Sequence, residues 1–237
     1  MSKEPAGPTD SGLFPGAVPL AAVIVLFVLS GATGLIYEVV WTRSLTLVFG
    51  KTVHAASAVL TAFMGGLALG GALGGRLIDR SRLSPLKIYA LLEAGIGLWA
   101  LLIPLAITAI GWVYVSWSGP FTTLPATMSV LRFVLATLAL LPATLLMGAT
   151  LPALSRWAVH HESQVGSRLG LLYALNTLGG VLGCLAAGFL LLEALGLRGT
   201  TWMAAAGNLI VAALAFALSR TGRSAPVIAQ AGTTADA

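Results

Sequence analysis

Apolar residues in this chain come in long blocks, separated by short stretches that hold most of the charge. A helix needs roughly 20 predominantly apolar residues to cross the hydrocarbon core of a bilayer. The pattern predicts six such helices. The first runs from about Val18 to Thr42, the second from Val53 to Ile78 and the third from Leu86 to Tyr114. The fourth runs from about Met128 to Ala158, the fifth from Leu169 to Leu195 and the sixth from Thr200 to Leu218. The blocks lack the strict alternation of barrel strands, so helices are predicted. Residues 1–16 read as a short disordered arm, 17–219 as a six-helix transmembrane domain, and 220–237 as a disordered polar tail. The uncharged segment from Ser118 to Ser129, with its two prolines, reads as a loop.

The second block is studded with glycine. Gly66, Gly70 and Gly74 recur every four residues and therefore share one stripe of a helix. Gly65, Gly71 and Gly75 widen that stripe. Lipid is as apolar as leucine, so helices in a bilayer associate by close backbone approach, which small residues allow. The fifth block carries Gly179, Gly180, Gly183 and Gly188 at a comparable depth. If helices one to three and four to six are related units, helices two and five are equivalents, as in transporters built from three-helix units of inverted topology.

Composition agrees with the blocks. The 237 residues are 57% hydrophobic and only 9% charged, against about 25% charged in ordinary soluble domains. With a mean hydropathy of +0.94, most of the length is expected in lipid. A net charge of +5 could suggest a nucleic-acid partner, but the cations sit between apolar blocks, where topology places them; no nucleic acid is expected. With the N-terminus inside, the inner side holds Lys3, Arg76, Arg80, Arg82, Lys87, Arg156, Arg168, Arg220 and Arg223. The outer side holds only Arg43, Lys51, Arg132 and Arg198. This bias predicts that both termini are cytoplasmic. Trp41, Trp112, Tyr114, Trp117 and Trp202 then fall near the outer interface, where amphipathic rings prefer to sit. Lys3 beside Glu4 and Asp10, before a long apolar run, argues against a cleavable signal. The lone Cys184 has no partner for an intramolecular disulfide.

Several motifs resemble known families. Gly75-Arg76-Leu77-Ile78-Asp79-Arg80 looks like the signature loop between helices two and three of the major facilitator superfamily. Ser30-Gly31-Ala32-Thr33-Gly34-Leu35-Ile36-Tyr37-Glu38-Val39-Val40-Trp41-Thr42-Arg43 is similar to the first-helix motif of bacterial fused transporter/spermidine synthase proteins. The segments FMGGLALGG (Phe63 to Gly71), LPATLLMGATLP (Leu141 to Pro152) and LYALNTLGGVLG (Leu172 to Gly183) resemble the same family. The resemblance covers about Ser30 to Asn208 and implies an all-α, polytopic six-helix bundle like one half of a major facilitator, in a bacterial inner membrane. Family members usually continue into a soluble aminopropyltransferase domain. No G-x-G-x-x-G or P-loop occurs here, and nothing after Leu218 supplies the acidic residues that such a domain needs for polyamines. No enzyme activity is therefore expected.

Few residues could carry chemistry. Glu38 lies in the outer part of the first helix, where a carboxylate must be paired, protonated or wetted. Arg43 is on a different face, and Arg132, at the start of the fourth helix, is the better partner. A structural ion pair, a proton- or cation-coupling site and a docking contact all remain open for Glu38. Glu93, about two turns into the third helix, is placed to meet Arg76 or Arg80. Together with Asp79 these two arginines would lock the cytoplasmic loop. Asn176 and Asn208 sit near mid-membrane, where amides commonly bond between helices. The adjacent His160 and His161, beside Glu162, have no third ligand nearby, so no metal site is expected. His54, near the outer end of helix two, is the one histidine close to lipid, and no cofactor is evident. Pro104, Pro142 and Pro152 are expected to kink or end helices three and four. Two functions compete. One is an accessory or scaffold subunit packing against other transmembrane helices in a larger, energy-transducing or enzymatic, membrane complex. The other is a half-size transporter, paired with itself as a homodimer, for a polyamine or similar cation.

Overall fold

The computed structural model describes residues 20–121, 125–158 and 165–221. Among these residues six α-helices follow one another: α1 (Leu20–Phe49), α2 (Val53–Arg80), α3 (Pro85–Phe121), α4 (Pro125–Ala158), α5 (Val165–Ala186) and α6 (Leu192–Thr221). A π-helical turn, Ala187–Leu191, joins α5 to α6, and no strand occurs among the described residues. The arm at residues 1–16, His160, His161, Glu162 and the tail beyond Thr221 lie outside the described residues.

Among the described residues, five continuous stretches are long and apolar enough to cross a membrane, and the last, Leu169–Arg220, has 52 residues. A straight helix of that size would be about 78 Å long, far more than a bilayer of about 45 Å with its headgroups. The stretch is broken instead. Gly196 takes φ 65° and ψ −175°, a left-handed backbone region that glycine enters without the Cβ penalty. The chain changes direction there. Before it, Gly179 rests on Val28 and Gly183 on Ala32, so α5 runs parallel to α1. Beyond it, Ala205 and Leu209 pack on Gly97 while Asn208 reaches back to Glu93, so α6 runs antiparallel to α3. The break falls inside the expected gap between Leu195 and Thr200. It needs one glycine rather than a polar loop, because Thr200 Oγ1 donates to the Leu191 and Gly196 carbonyls at 3.0 and 2.8 Å.

The boundaries differ most at Ser118 to Ser129. That segment was expected as a loop, but α3 continues to Phe121 and α4 opens at Pro125. Proline at the first helical position loses no hydrogen bond, since that N–H has no partner in any helix. Pro104, Pro142 and Pro152 do not end their helices either; α3 and α4 run on past all three.

The pairs in most extensive contact are α2 with α4, α1 with α5, α3 with α6, α3 with α4 and α1 with α6. Exchanging α1–α3 for α4–α6 maps this set onto itself. The two tightest pairs are built alike. A Cβ placed on Gly66, Gly70 or Gly74 would collide with Thr144, the Leu145 carbonyl or Ala149, and one on Gly148 with the Leu67 carbonyl. A Cβ on Gly179 or Gly183 would collide with the Val28 or Ala32 carbonyl. Backbone therefore lies on backbone in both pairs, which maximises dispersion contact between helices that lipid does not force together. Around this framework lie two clusters. One, with Tyr37, Trp41, Phe49, Phe63, Ile96, Ile103 and Leu140, occupies the half of the bundle that holds the α1–α2 link. The other, with Phe27, Ile78, Tyr89 and Leu154, fills the opposite half.

The α1–α2 end is tied by aromatic and charged groups. Arg132 Nε donates to the Tyr114 hydroxyl at 3.1 Å, and that hydroxyl donates to the Phe49 carbonyl at 3.4 Å. Thr52 caps α2, accepting from the Ala55 amide at 3.2 Å. At the opposite end Arg156 of α4 donates to the carbonyls of Ile78 and Ser81, closing the C-terminus of α2.

Gly70→Val should lower the melting temperature in detergent, because the added methyls have only the Leu145 backbone to displace; overpacking of this kind costs about 1–3 kcal/mol. Gly65→Val is the control. Nothing lies within 4 Å of a Cβ at that position, so its melting curve should overlay that of the parent.

Candidate functional site

Three helices that are apolar along most of their length place polar side chains on one shared seam. On α1, Ser30 and Tyr37 stand two turns apart and so share a face. On α3, Tyr89 and Glu93 are one turn apart. On α6, Asn208 supplies an amide. The Glu93 side chain is fully buried. Ser30 Oγ donates to Glu93 Oε1 and Asn208 Nδ2 donates to Glu93 Oε2, each at 2.5 Å. Asn208 Oδ1 in turn accepts from the Tyr37 hydroxyl at 2.9 Å. The Tyr89 hydroxyl, one turn before Glu93, donates to the Leu26 carbonyl at 3.2 Å. Tyr37 also stacks on Trp41, with ring centroids 4.6 Å apart.

Both carboxylate oxygens are thus met by neutral donors, and neither donor is a cation. A carboxyl group inside a membrane bundle is costly and marks a functional position by default. The network binds α1, α3 and α6 to one another at the seam between the two apolar clusters. It can hold a carboxyl group in either protonation state, since hydroxyls both donate and accept.

The other polar residues singled out in the sequence are not gathered here. Glu93 does not reach Arg76 or Arg80, because its side chain points toward α1 and α6 rather than the end of α2. Arg76, Asp79 and Arg80 are exposed, and the hydrogen bonds that lock the end of α2 come from Arg156. Glu38 is half-buried and does not meet Arg132, which is taken by Tyr114. The Arg132 guanidinium also lies 5.9 Å from the Tyr114 ring centre. Arg43 is exposed beside Thr46 and Lys51. Asn176 touches Gly31 in the α1–α5 contact, a packing position. His54 is exposed at the start of α2. No group of three or more histidine, cysteine or acidic side chains placed to hold a metal occurs among the described residues.

Sequence reasoning singled out Glu93 and noticed Asn208, but it missed Ser30, Tyr37 and Tyr89. The available signal was the Ser30–Tyr37 spacing on α1 and the Tyr89–Glu93 spacing on α3. What was lacking was the knowledge that those two faces meet. Comparison with family models, curated proteins and solved structures finds no match to this chain.

Asn208→Leu should destabilise the bundle markedly, since it leaves Glu93 Oε2 and the Tyr37 hydroxyl without their partner; each unpaired buried group costs about 1–3 kcal/mol. Glu93→Gln should be far milder. Its carboxamide oxygen still accepts from Asn208, and its NH2 group can donate to the Ser30 hydroxyl. Thermal melts of the two variants in detergent check the ranking, and equal losses would contradict it.

Proposed function

We propose that this chain is a non-catalytic, integral membrane protein that crosses the bilayer six times and packs against the transmembrane helices of other subunits in a larger complex. The reversal of direction at Gly196 supports counting Leu169–Arg220 as two crossings. The self-mapping pattern of helix contacts supports a bundle of two three-helix units, as in half of a major facilitator.

The observation that carries the packing role is a second small-residue stripe on α2. Gly66, Gly70 and Gly74 are consumed by α4. Thr61, Gly65, Ala68 and Ala72 form a separate, exposed row at heptad-like spacing, and nothing lies within 4 Å of a Cβ on Gly65 or on Gly75, one turn further. The row is flanked by exposed Leu60, Met64, Leu69 and Leu73. A surface of this kind offers another helix the same close backbone approach that α4 uses on the inner side.

One observation favours a second reading, a half-size homodimeric transporter for a polyamine or similar cation. It is Glu93, a buried carboxyl group without a cationic partner, held where two apolar clusters meet.

Purification from native membranes in mild detergent separates the two. The packing role predicts fixed stoichiometry with unrelated subunits, lost in a Gly65→Leu, Ala72→Leu variant whose own melting temperature is unchanged. The transporter predicts a symmetric dimer whose proteoliposomes take up spermidine, with uptake lost in Glu93→Gln. A monodisperse monomer from native membranes, silent in uptake, would remove both.

A further inference from the structure

Away from the Glu93 network, the end of the bundle that holds the α1–α2 link and Gly196 contains two adjacent cavities. The larger, about 460 Å³, is lined by Arg43, Thr46, Lys51, Leu192 and Gly196, together with Leu47 and Leu197. The smaller, about 200 Å³, shares Leu47 and Leu197 and adds Trp41, Ser44, Thr108, Arg198 and Thr201. Arg43 and Lys51 line one part of this depression and Arg198 the other, the two parts meeting at Leu47 and Leu197, and no acidic side chain lines either. A second observation points to a ligand. Trp41 is 1% exposed, and its indole N–H has no hydrogen-bond acceptor. Buried donors without acceptors are rare and costly. None of the hydroxyls beside it accepts this hydrogen: Ser44, Thr108 and Thr201 bond to carbonyls of their own helices, and the indole N–H stays unmatched. Leu47, Leu192, Leu197, Ile103 and Ile107 supply apolar lining.

We propose that this depression binds a phosphate-bearing anion, seated among Arg43, Lys51 and Arg198 at the rim and reaching toward the Trp41 indole. Guanidinium groups and phosphate oxygens form charge-assisted hydrogen bonds, and an oxygen acceptor is the group that Trp41 lacks. Gly196, Leu197 and Arg198, at the kink inside α6, line the same wall. The ligand chemistry is that of an anionic phospholipid headgroup, whose chains would follow the apolar lining, or of free phosphate. The site is independent of whether the protein scaffolds or transports.

The test is a thermal melt of the purified, full-length protein, delipidated in detergent and titrated with phosphatidylglycerol, phosphatidylcholine or inorganic phosphate. Phosphatidylglycerol should raise the melting temperature, and phosphatidylcholine should do so much less. In Arg43→Gln, Lys51→Gln, Arg198→Gln the apparent affinity for phosphatidylglycerol should fall about tenfold or more, as loss of roughly 1.4 kcal/mol or more requires. Trp41→Phe, which removes the indole N–H together with one of the two fused rings, should also weaken binding. If inorganic phosphate alone reproduces the shift, the site stands and its source is free phosphate. If the triple variant folds badly, Arg198→Gln alone should still weaken binding. Equal shifts with both lipids, or phosphatidylglycerol binding unaltered in the glutamine variants, would overturn the site.

Discussion

Backbone-on-backbone contact between parallel helices is the constraint from which the rest of this bundle follows. Without a hydrophobic force between helices in lipid, the available energy is dispersion, and it grows steeply as helix axes approach. The glycines of α2 let α4 come close enough for the Leu145 carbonyl to lie against Gly70, while Gly148 returns the contact against Leu67. The same device sets α5 on α1 through Gly179 and Gly183. Two clamped pairs leave α3 and α6 to close the structure, and the seam where they meet α1 is where the polar network forms.

That seam is filled by side chains that need one another. Glu93 is tolerable in an apolar interior because Ser30 and Asn208 satisfy both of its oxygens, and Asn208 is in turn satisfied by Tyr37. A polar network in a medium of low dielectric is strong when complete and costly when broken. It therefore specifies the alignment of α1, α3 and α6 in a way that apolar packing alone, which tolerates sliding, would not. The glycine clamps supply closeness and the Glu93 network supplies register.

The two ends are finished differently. At one, Arg156 spans from α4 to the terminal carbonyls of α2, so a cation closes a helix C-terminus where its charge is favoured. At the other, Arg132, Tyr114 and Phe49 tie three helices together. Arg43, Lys51 and Arg198 remain around a depression there. Arg156 and Arg132 thus serve the bundle's own ends, while Arg43, Lys51 and Arg198 line a depression.

Much of this was legible in the linear chain. Block length and the near absence of charge suffice to identify membrane-crossing helices, because a bilayer admits so few backbone solutions. The four-residue recurrence of Gly66, Gly70 and Gly74 marked a packing stripe, because helical periodicity maps spacing directly onto a face. Which helix lay against that stripe was not legible. Nor was the partner of Glu93, expected at the arginines of α2 and found at Ser30 and Asn208, nor the capture of Arg132 by Tyr114 in place of Glu38. Long-range partners depend on how faces are rotated toward one another, and that is decided by the summed packing of all six helices. The break in the last apolar stretch shows the division well: apolar length called for one, but only the folded bundle placed it at the left-handed Gly196, within α6, because Thr200 supplied bonds that a loop would otherwise have provided.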